Sequence, residues 1–115
     1  MVGTFKEFRL YCCHSVSSFG PDHKCARKHG HTYKIRVTAL GSVNKDTMIV
    51  VPFEKIEEVW STHCAHLDHT DLNSTFVNPT TEVLAMYIHG KMTVHLGLPV
   101  EVEVKETESS GVIIR

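Results

Sequence analysis

Strict alternation near the N-terminus constrains the fold of this chain more than any other feature. Between Thr4 and His14, the side chains of Phe8, Leu10, Cys12 and His14 recur at every second position. Between His31 and Leu40, Tyr33, Ile35, Val37 and Ala39 do the same. A period of two belongs to a strand with one buried face, because successive side chains point to opposite sides. The two stretches predict neighbouring antiparallel strands that turn one face to a common core. Between them, Ser15 to Lys28 holds Ser17-Ser18, Gly20-Pro21-Asp22 and several charges, the signature of a loop. A loop of this length in a small domain is commonly functional.

The period then changes. Gly41 to Asp46 reads as a turn, and Met48 to Val51 as a short strand continuation. Pro52 or Phe53 opens a helix in which Ile56, Val59, Trp60 and Cys64 recur at helical spacing. Leu67 to Asn78 is irregular and polar. Asn78-Pro79-Thr80-Thr81-Glu82 reads as a second helix start. Asn78 suits the cap, Pro79 the first turn and Glu82 the positive end of the helix dipole. Val83, Leu84, Tyr87, Ile88, Met92 and Leu96 form its apolar stripe; Gly97 ends it and Pro99 blocks its continuation. Pro99 to Glu106 and Gly111 to Arg115 read as strands.

The order β-β-α-α-β-β predicts an α+β fold: an antiparallel four-stranded sheet with two helices on one face, forming one domain over residues 1–115. A length of 115 residues suits one packed core. Four strands leave two open edges, and pairing with further copies of the chain is one way to cover them. No apolar run approaches the roughly 18 residues of a membrane span. The start Met1-Val2-Gly3-Thr4-Phe5-Lys6 lacks the apolar stretch of a signal peptide, so the expected compartment is the cytoplasm. Net charge is −1 with both signs interspersed, which argues against nucleic acid as the main partner. The four cysteines, Cys12, Cys13, Cys25 and Cys64, are therefore read as reduced thiols.

The anomaly is histidine, with nine residues against three Tyr and one Trp. In His29-Gly30-His31, residues i and i+2 of a strand present two imidazoles on one face, and Gly30 removes bulk from the other. His14 ends the neighbouring strand. Three neutral imidazoles with an open fourth position make a catalytic zinc site. A lone His-x-His in a strand is more often structural, and the third ligand depends on the pairing register. His63, His66, His89 and His95 read as surface or helix residues, and His23 stays open beside Cys25. Lys24, Arg27 and Lys28 surround Cys25 with positive charge, which favours its thiolate. Nucleophile or base, fourth metal ligand and inert thiol all remain open for it. Asp68-His69 is either a proton-transfer pair or a chance neighbour pair in a polar loop. Glu106 follows Val100, Val102 and Val104 in phase, so it needs a partner: the paired N–H groups of a ligand, or a nearby Lys or Arg.

Taken in order, these residues resemble the 6-pyruvoyltetrahydropterin synthase superfamily. Cys25-Ala26-Arg27-Lys28-His29-Gly30-His31-Thr32-Tyr33 is similar to its Cys-x3-His-Gly-His-x-aromatic signature. Phe8 to His14, Leu67-Asp68-His69 with Leu72-Asn73, Asn78-Pro79-Thr80-Thr81-Glu82 and Val104-Lys105-Glu106-Thr107 match its other motifs along nearly the whole chain. Three residues between Cys25 and His29, preceded by His23-Lys24, resemble the 6-carboxy-5,6,7,8-tetrahydropterin synthase branch; animal-type pyruvoyl synthases tend to a longer interval. Val51-Pro52-Phe53 departs from the Asp-Phe of many relatives.

The resemblance implies a tunnelling fold whose subunits join edge to edge, as hexamers of two trimers with active sites between subunits. It implies a zinc-dependent carbon–carbon lyase converting 7,8-dihydroneopterin triphosphate to 6-carboxytetrahydropterin, acetaldehyde and triphosphate, a step toward queuosine and other 7-deazaguanines. His14, His29 and His31 would hold zinc, Cys25 would remove a proton, and Asp68 with His69 would relay protons. Glu106 would grip the pterin, with Thr107 and Thr81 also in substrate binding. Lys24, Arg27 and Lys28 are either a triphosphate lure or a solvated basic loop. Other readings are a pyruvoyl synthase, an idle pterin- or zinc-binding module, and a structural zinc domain closed by Cys25.

Overall fold

A computed structural model describes residues 1–115. The chain runs β1 (Val2–His14), β2 (His29–Gly41), α1 (Phe53–His63), β3 (Thr70–Asp71), α2 (Thr81–Leu96), β4 (Val100–Thr107) and β5 (Ser110–Ile114). The alternating stretches pair as expected, antiparallel and in unbroken register from Val2 opposite Gly41 to His14 opposite His29. β4 adds to the other side of β2, and β5 to β4. The inner face of the sheet carries Leu10, Tyr33, Ile35, Val37, Val102 and Val104, all buried. Both helices cover it with Ile56, Val59, Trp60, Leu84, Ile88 and Met92. Phe8 stacks on Trp60 with ring centroids 4.3 Å apart, which fixes α1 against β1.

Three expectations need correction. The sheet has five strands, because Thr70–Asp71 pairs parallel with Cys12–Cys13 at the edge of β1. Two residues carry too little periodicity to be seen in sequence. Met48 to Val51 is not a strand. Asn44 holds a closed turn there: its side chain accepts from the N–H groups of Asp46 and Thr47, and its carbonyl from Met48 at 2.7 Å. Met48 consequently adopts φ 63°, which a strand excludes. The cap of α2 is Thr80, whose hydroxyl accepts from the Val83 N–H, and not Asn78. Asn78 instead donates to Ser18, and Pro79 lies one residue outside the helix.

The irregular segment between the helices is a clamp on the end of β1. The Asp68 carboxylate accepts from the Tyr11 N–H at 2.8 Å, and the His69 N–H donates to the Tyr11 carbonyl at 2.7 Å. Asn73 accepts from the Ser15 N–H and donates to its carbonyl. Leu67 and Leu72 anchor the segment in the core. This clamp brings the end of β1, the start of β2 and the start of α2 to one end of the sheet.

Candidate metal centre

Register places the three histidines. His14 lies directly opposite His29, and His31 opposite Cys12. The imidazoles of His29 and His31 therefore share the inner face with His14. His14 and His29 Nε2 atoms stand 3.0 Å apart. The ligand atoms of His14, His29, His31 and Glu106 all fall within 4.8 Å of one another.

The hydrogen bonds fix the tautomers of two rings. The His14 Nδ1 lies 2.7 Å from the Pro79 carbonyl, and the His29 Nδ1 2.8 Å from the Arg27 carbonyl. A carbonyl only accepts, so each Nδ1 carries the proton and each neutral ring has its lone pair on Nε2. Two lone pairs then face each other at 3.0 Å with no hydrogen between them. The His31 Nε2 is buried without a hydrogen-bond partner. Burial is the main influence on the His31 ring, and it lowers the pKa, which favours the neutral form. Converging acceptors of this kind suit a cation. Three imidazole nitrogens and a carboxylate oxygen are the donor set of a divalent metal such as zinc, and backbone carbonyls behind ligating rings are the usual orienting partners.

Glu106 sits one residue past the end of the β2–β4 pairing, where the β4–β5 register shifts between Lys105 and Thr107. Its Oε1 is 3.1 Å from the His31 Nε2 and 3.6 Å from the His14 Nε2. Its partners are thus the metal-site rings and not a Lys or Arg. Tyr33, two residues after His31 on the same face, is buried with its hydroxyl 3.3 Å from the His14 Nδ1. Burial raises the Tyr33 pKa, so its hydroxyl stays protonated. Sequence reasoning placed Tyr33 on the core face and in the Cys-x3-His-Gly-His-x-aromatic signature, without giving it a contact to the histidines. The Pro79 and Arg27 carbonyls carried no signal, since any residue has one.

Cys25, His14, His29, Thr80, Thr81 and Glu106 line one cavity of about 310 Å³ at this end of the sheet. Cys25 is half-buried in a short helical turn, Lys24–Ala26. Its carbonyl accepts from the Val16 N–H at 2.7 Å, and its N–H donates to the His23 Nδ1. This gives His23 a role in shaping the loop. Cys25 lines the cavity without joining the four groups whose ligand atoms converge.

Asp68 and His69 are not brought to that cavity. They form their own pair, with the His69 Nδ1 3.0 Å from the Asp68 carboxylate. His69 is exposed, has a left-handed φ of 59°, and lines an open depression with Tyr11, Cys13 and Gly30. Such a backbone is unusual outside glycine and is held here by the Tyr11 carbonyl. The Tyr11 N–H, followed by the His69 contacts, holds the Asp68 carboxyl below the usual carboxylate range. Gly30 faces the same depression; a Cβ there would meet only the Cys12 carbonyl at 3.6 Å, so nothing within one chain requires a glycine. Thr107 is also outside the cavity, its hydroxyl paired with Ser110 at the tip of the β4–β5 hairpin. Of the basic loop residues, Lys28 is taken by Asp71 at 2.7 Å.

Known proteins share this arrangement of elements. The chain is 34% identical over 97 residues to a putative 6-carboxy-5,6,7,8-tetrahydropterin synthase of Archaeoglobus fulgidus, covering 83% of each chain. It is 35% identical over 77 residues to a dihydroneopterin monophosphate aldolase of Pyrococcus furiosus, covering 67% of this chain and 64% of the aldolase. Its fold superposes on the structure of Caenorhabditis elegans 6-pyruvoyl tetrahydropterin synthase with a TM-score of 0.86 at 21% identity, covering 99% of this chain and 94% of that one. The sequence profile named 6-pyruvoyl tetrahydropterin synthase matches residues 4–115. The chain therefore belongs to the 6-pyruvoyl tetrahydropterin synthase family of enzymes.

Proposed function

We propose that this protein is a zinc-dependent 6-carboxy-5,6,7,8-tetrahydropterin synthase. Its substrate is 7,8-dihydroneopterin triphosphate, and acetaldehyde and triphosphate are its other products, on the route to queuosine and other 7-deazaguanines. The observation that carries this reading is the convergence of three histidine Nε2 atoms beside a cavity also lined by Cys25 and Glu106. His14, His29 and His31 would hold the zinc, which as a Lewis acid acidifies the hydroxyls of the substrate side chain.

The chain's own residues supply the rest. Cys25, as thiolate, removes a proton from the side chain. Glu106 accepts two N–H groups from the aminopyrimidinone edge of the pterin. Thr81, in the first turn of α2, borders the same cavity and contacts the substrate, and Thr107 secures the hairpin that carries Glu106. Lys24 and Arg27, in the loop that carries Cys25, supply positive charge for the triphosphate, while Lys28 is already paired. Asp68 and His69 exchange protons on the far side of the substrate. Since they do not line the Cys25 cavity of their own chain, they serve that of a neighbouring subunit in a cytoplasmic homo-oligomer of two trimers.

The 35% identity to the Pyrococcus aldolase supports a second reading, carbon–carbon cleavage of a dihydroneopterin monophosphate. Product identification separates the two. Zinc-loaded protein is incubated with the triphosphate and, separately, with the monophosphate, and the pterins are analysed by mass spectrometry. A 6-carboxypterin with acetaldehyde, from the triphosphate, is the expected result. A pyruvoyl product would move the protein to the pyruvoyl branch. A 6-hydroxymethyl product formed only from the monophosphate would make it an aldolase.

A further inference from the structure

Glu106 carries two demands that it cannot meet at once. Its Oε1 lies 3.1 Å from the His31 Nε2 and 3.6 Å from the His14 Nε2, and it completes the one group of converging metal-ligand atoms in the chain. It also lines the cavity beside Cys25 and Thr81, where the reading above has it grip the pterin. A carboxylate turned to the three imidazoles adds a fourth group able to bind a cation. A divalent cation satisfies all four. The pterin edge, by contrast, needs both oxygens of the carboxylate turned into the cavity for its paired N–H groups.

We propose that Glu106 exchanges between these partners: it is a fourth metal ligand while the cavity is empty, and it leaves the metal when a pterin N–H edge takes it. This rests on the reading of the cavity as a pterin site. Two features of the chain suit an exchange. Glu106 sits at the β4–β5 register shift, one residue past the end of the β2–β4 ladder, so it has no ladder partner on β2. It is also about one third exposed, unlike buried His14. The consequence is chemical. With the carboxylate attached, three neutral imidazoles and one negative charge leave a divalent site with a net charge of one. When the carboxylate departs, the site carries the full charge of the ion and has a free position. The metal thus becomes a strong Lewis acid only when a pterin is seated. Until then the open position is closed to water and to other oxygen ligands.

The test uses cobalt(II) in the full-length protein, read by its visible d–d bands, with unsubstituted pterin as probe. That pterin has the N–H edge but lacks the side-chain hydroxyls through which the substrate would bind the metal. Pterin is expected to shift the bands of the wild-type protein. Glu106→Gln should bind cobalt at least about tenfold more weakly, since even outer-sphere partners of a metal ligand are worth that much. Its bands should differ from those of the wild type and should not move with pterin. Unchanged cobalt affinity and bands in Glu106→Gln would overturn the proposal. So would wild-type bands that stay fixed while pterin fluorescence reports binding; this arm needs no variant. If the wild type takes up one cobalt per chain and these results fail, the exchange alone is wrong. If it takes up no cobalt, or binds no pterin, the functional reading falls with it.

Discussion

At the scale of single residues, burial sets two of the four thiols apart. Burial pushes the Cys12 thiol up to about 11 and the Cys64 thiol up to about 12. At pH 8 each is a thiolate for about one part in a thousand or less, and the thiolate is the reactive form. Cys25 is half-buried in the cavity wall and open to reagents. Iodoacetamide at pH 8 should therefore label Cys25 in the native protein and abolish turnover, while Cys12 and Cys64 react only after unfolding. Peptide mass spectrometry reads this directly; native labelling of Cys64 ahead of Cys25 would contradict it. The convergence of His14, His29 and His31 was legible in sequence because His29 and His31 share strand parity and His14 ends the paired strand. The orienting atoms were not, because the Pro79 and Arg27 carbonyls belong to the backbone. Parity also placed Glu106 on the inner face, but could not tell a Lys or Arg partner from the metal-site rings it meets.

At the scale of elements, period was a reliable guide and short hydrogen-bonded connections were not. β1, β2 and α2 announce themselves by spacing over 13, 13 and 16 residues. β3 has two residues and exists because Asp68 and His69 clamp Tyr11, a contact between positions 57 apart for the Asp68 bond. The cap of α2 shifted by two residues because the Pro79 carbonyl is used by His14 and the Thr80 hydroxyl was free to cap. The Asp68 clamp makes a pH prediction. Its folded pKa is depressed, chiefly by the Tyr11 N–H. It therefore contributes stability that is fully present above the unfolded value near 4 and is lost as pH falls through the folded value. Asp68→Asn should lower the melting temperature at pH 7 and cost progressively less as pH drops below about 4. An equal deficit at pH 7 and pH 3 would show that the clamp does not depend on the charge.

At the scale of the molecule, one chain leaves sheet edges without strand partners. The paired strands of 13 residues run about 43 Å, whereas the longer helix spans about 24 Å. The chain is accordingly elongated, 57 × 23 × 21 Å. The outer edge of β1 has a strand partner only at Cys12–Cys13, and β5 has none on its outer side. Such edges invite further strands. No helix is long and apolar enough to cross a membrane. If Asp68 and His69 serve a neighbour's cavity, Cys25→Ala and His69→Ala proteins should each be inactive. Unfolded and refolded together, they should regain up to about a quarter of wild-type turnover, because random pairing restores one site in four. No recovery in a mixed oligomer would put both residues in one chain's site.

In the proposed site three histidines hold the metal, and Cys25 acts beside it without binding it. Metal content by elemental analysis, on His29→Ala and Cys25→Ala proteins purified side by side with the wild type, tests it most directly. The wild type and Cys25→Ala should each carry one zinc per chain, and His29→Ala should carry essentially none. Full zinc in His29→Ala, or its loss from Cys25→Ala, would contradict the assignment.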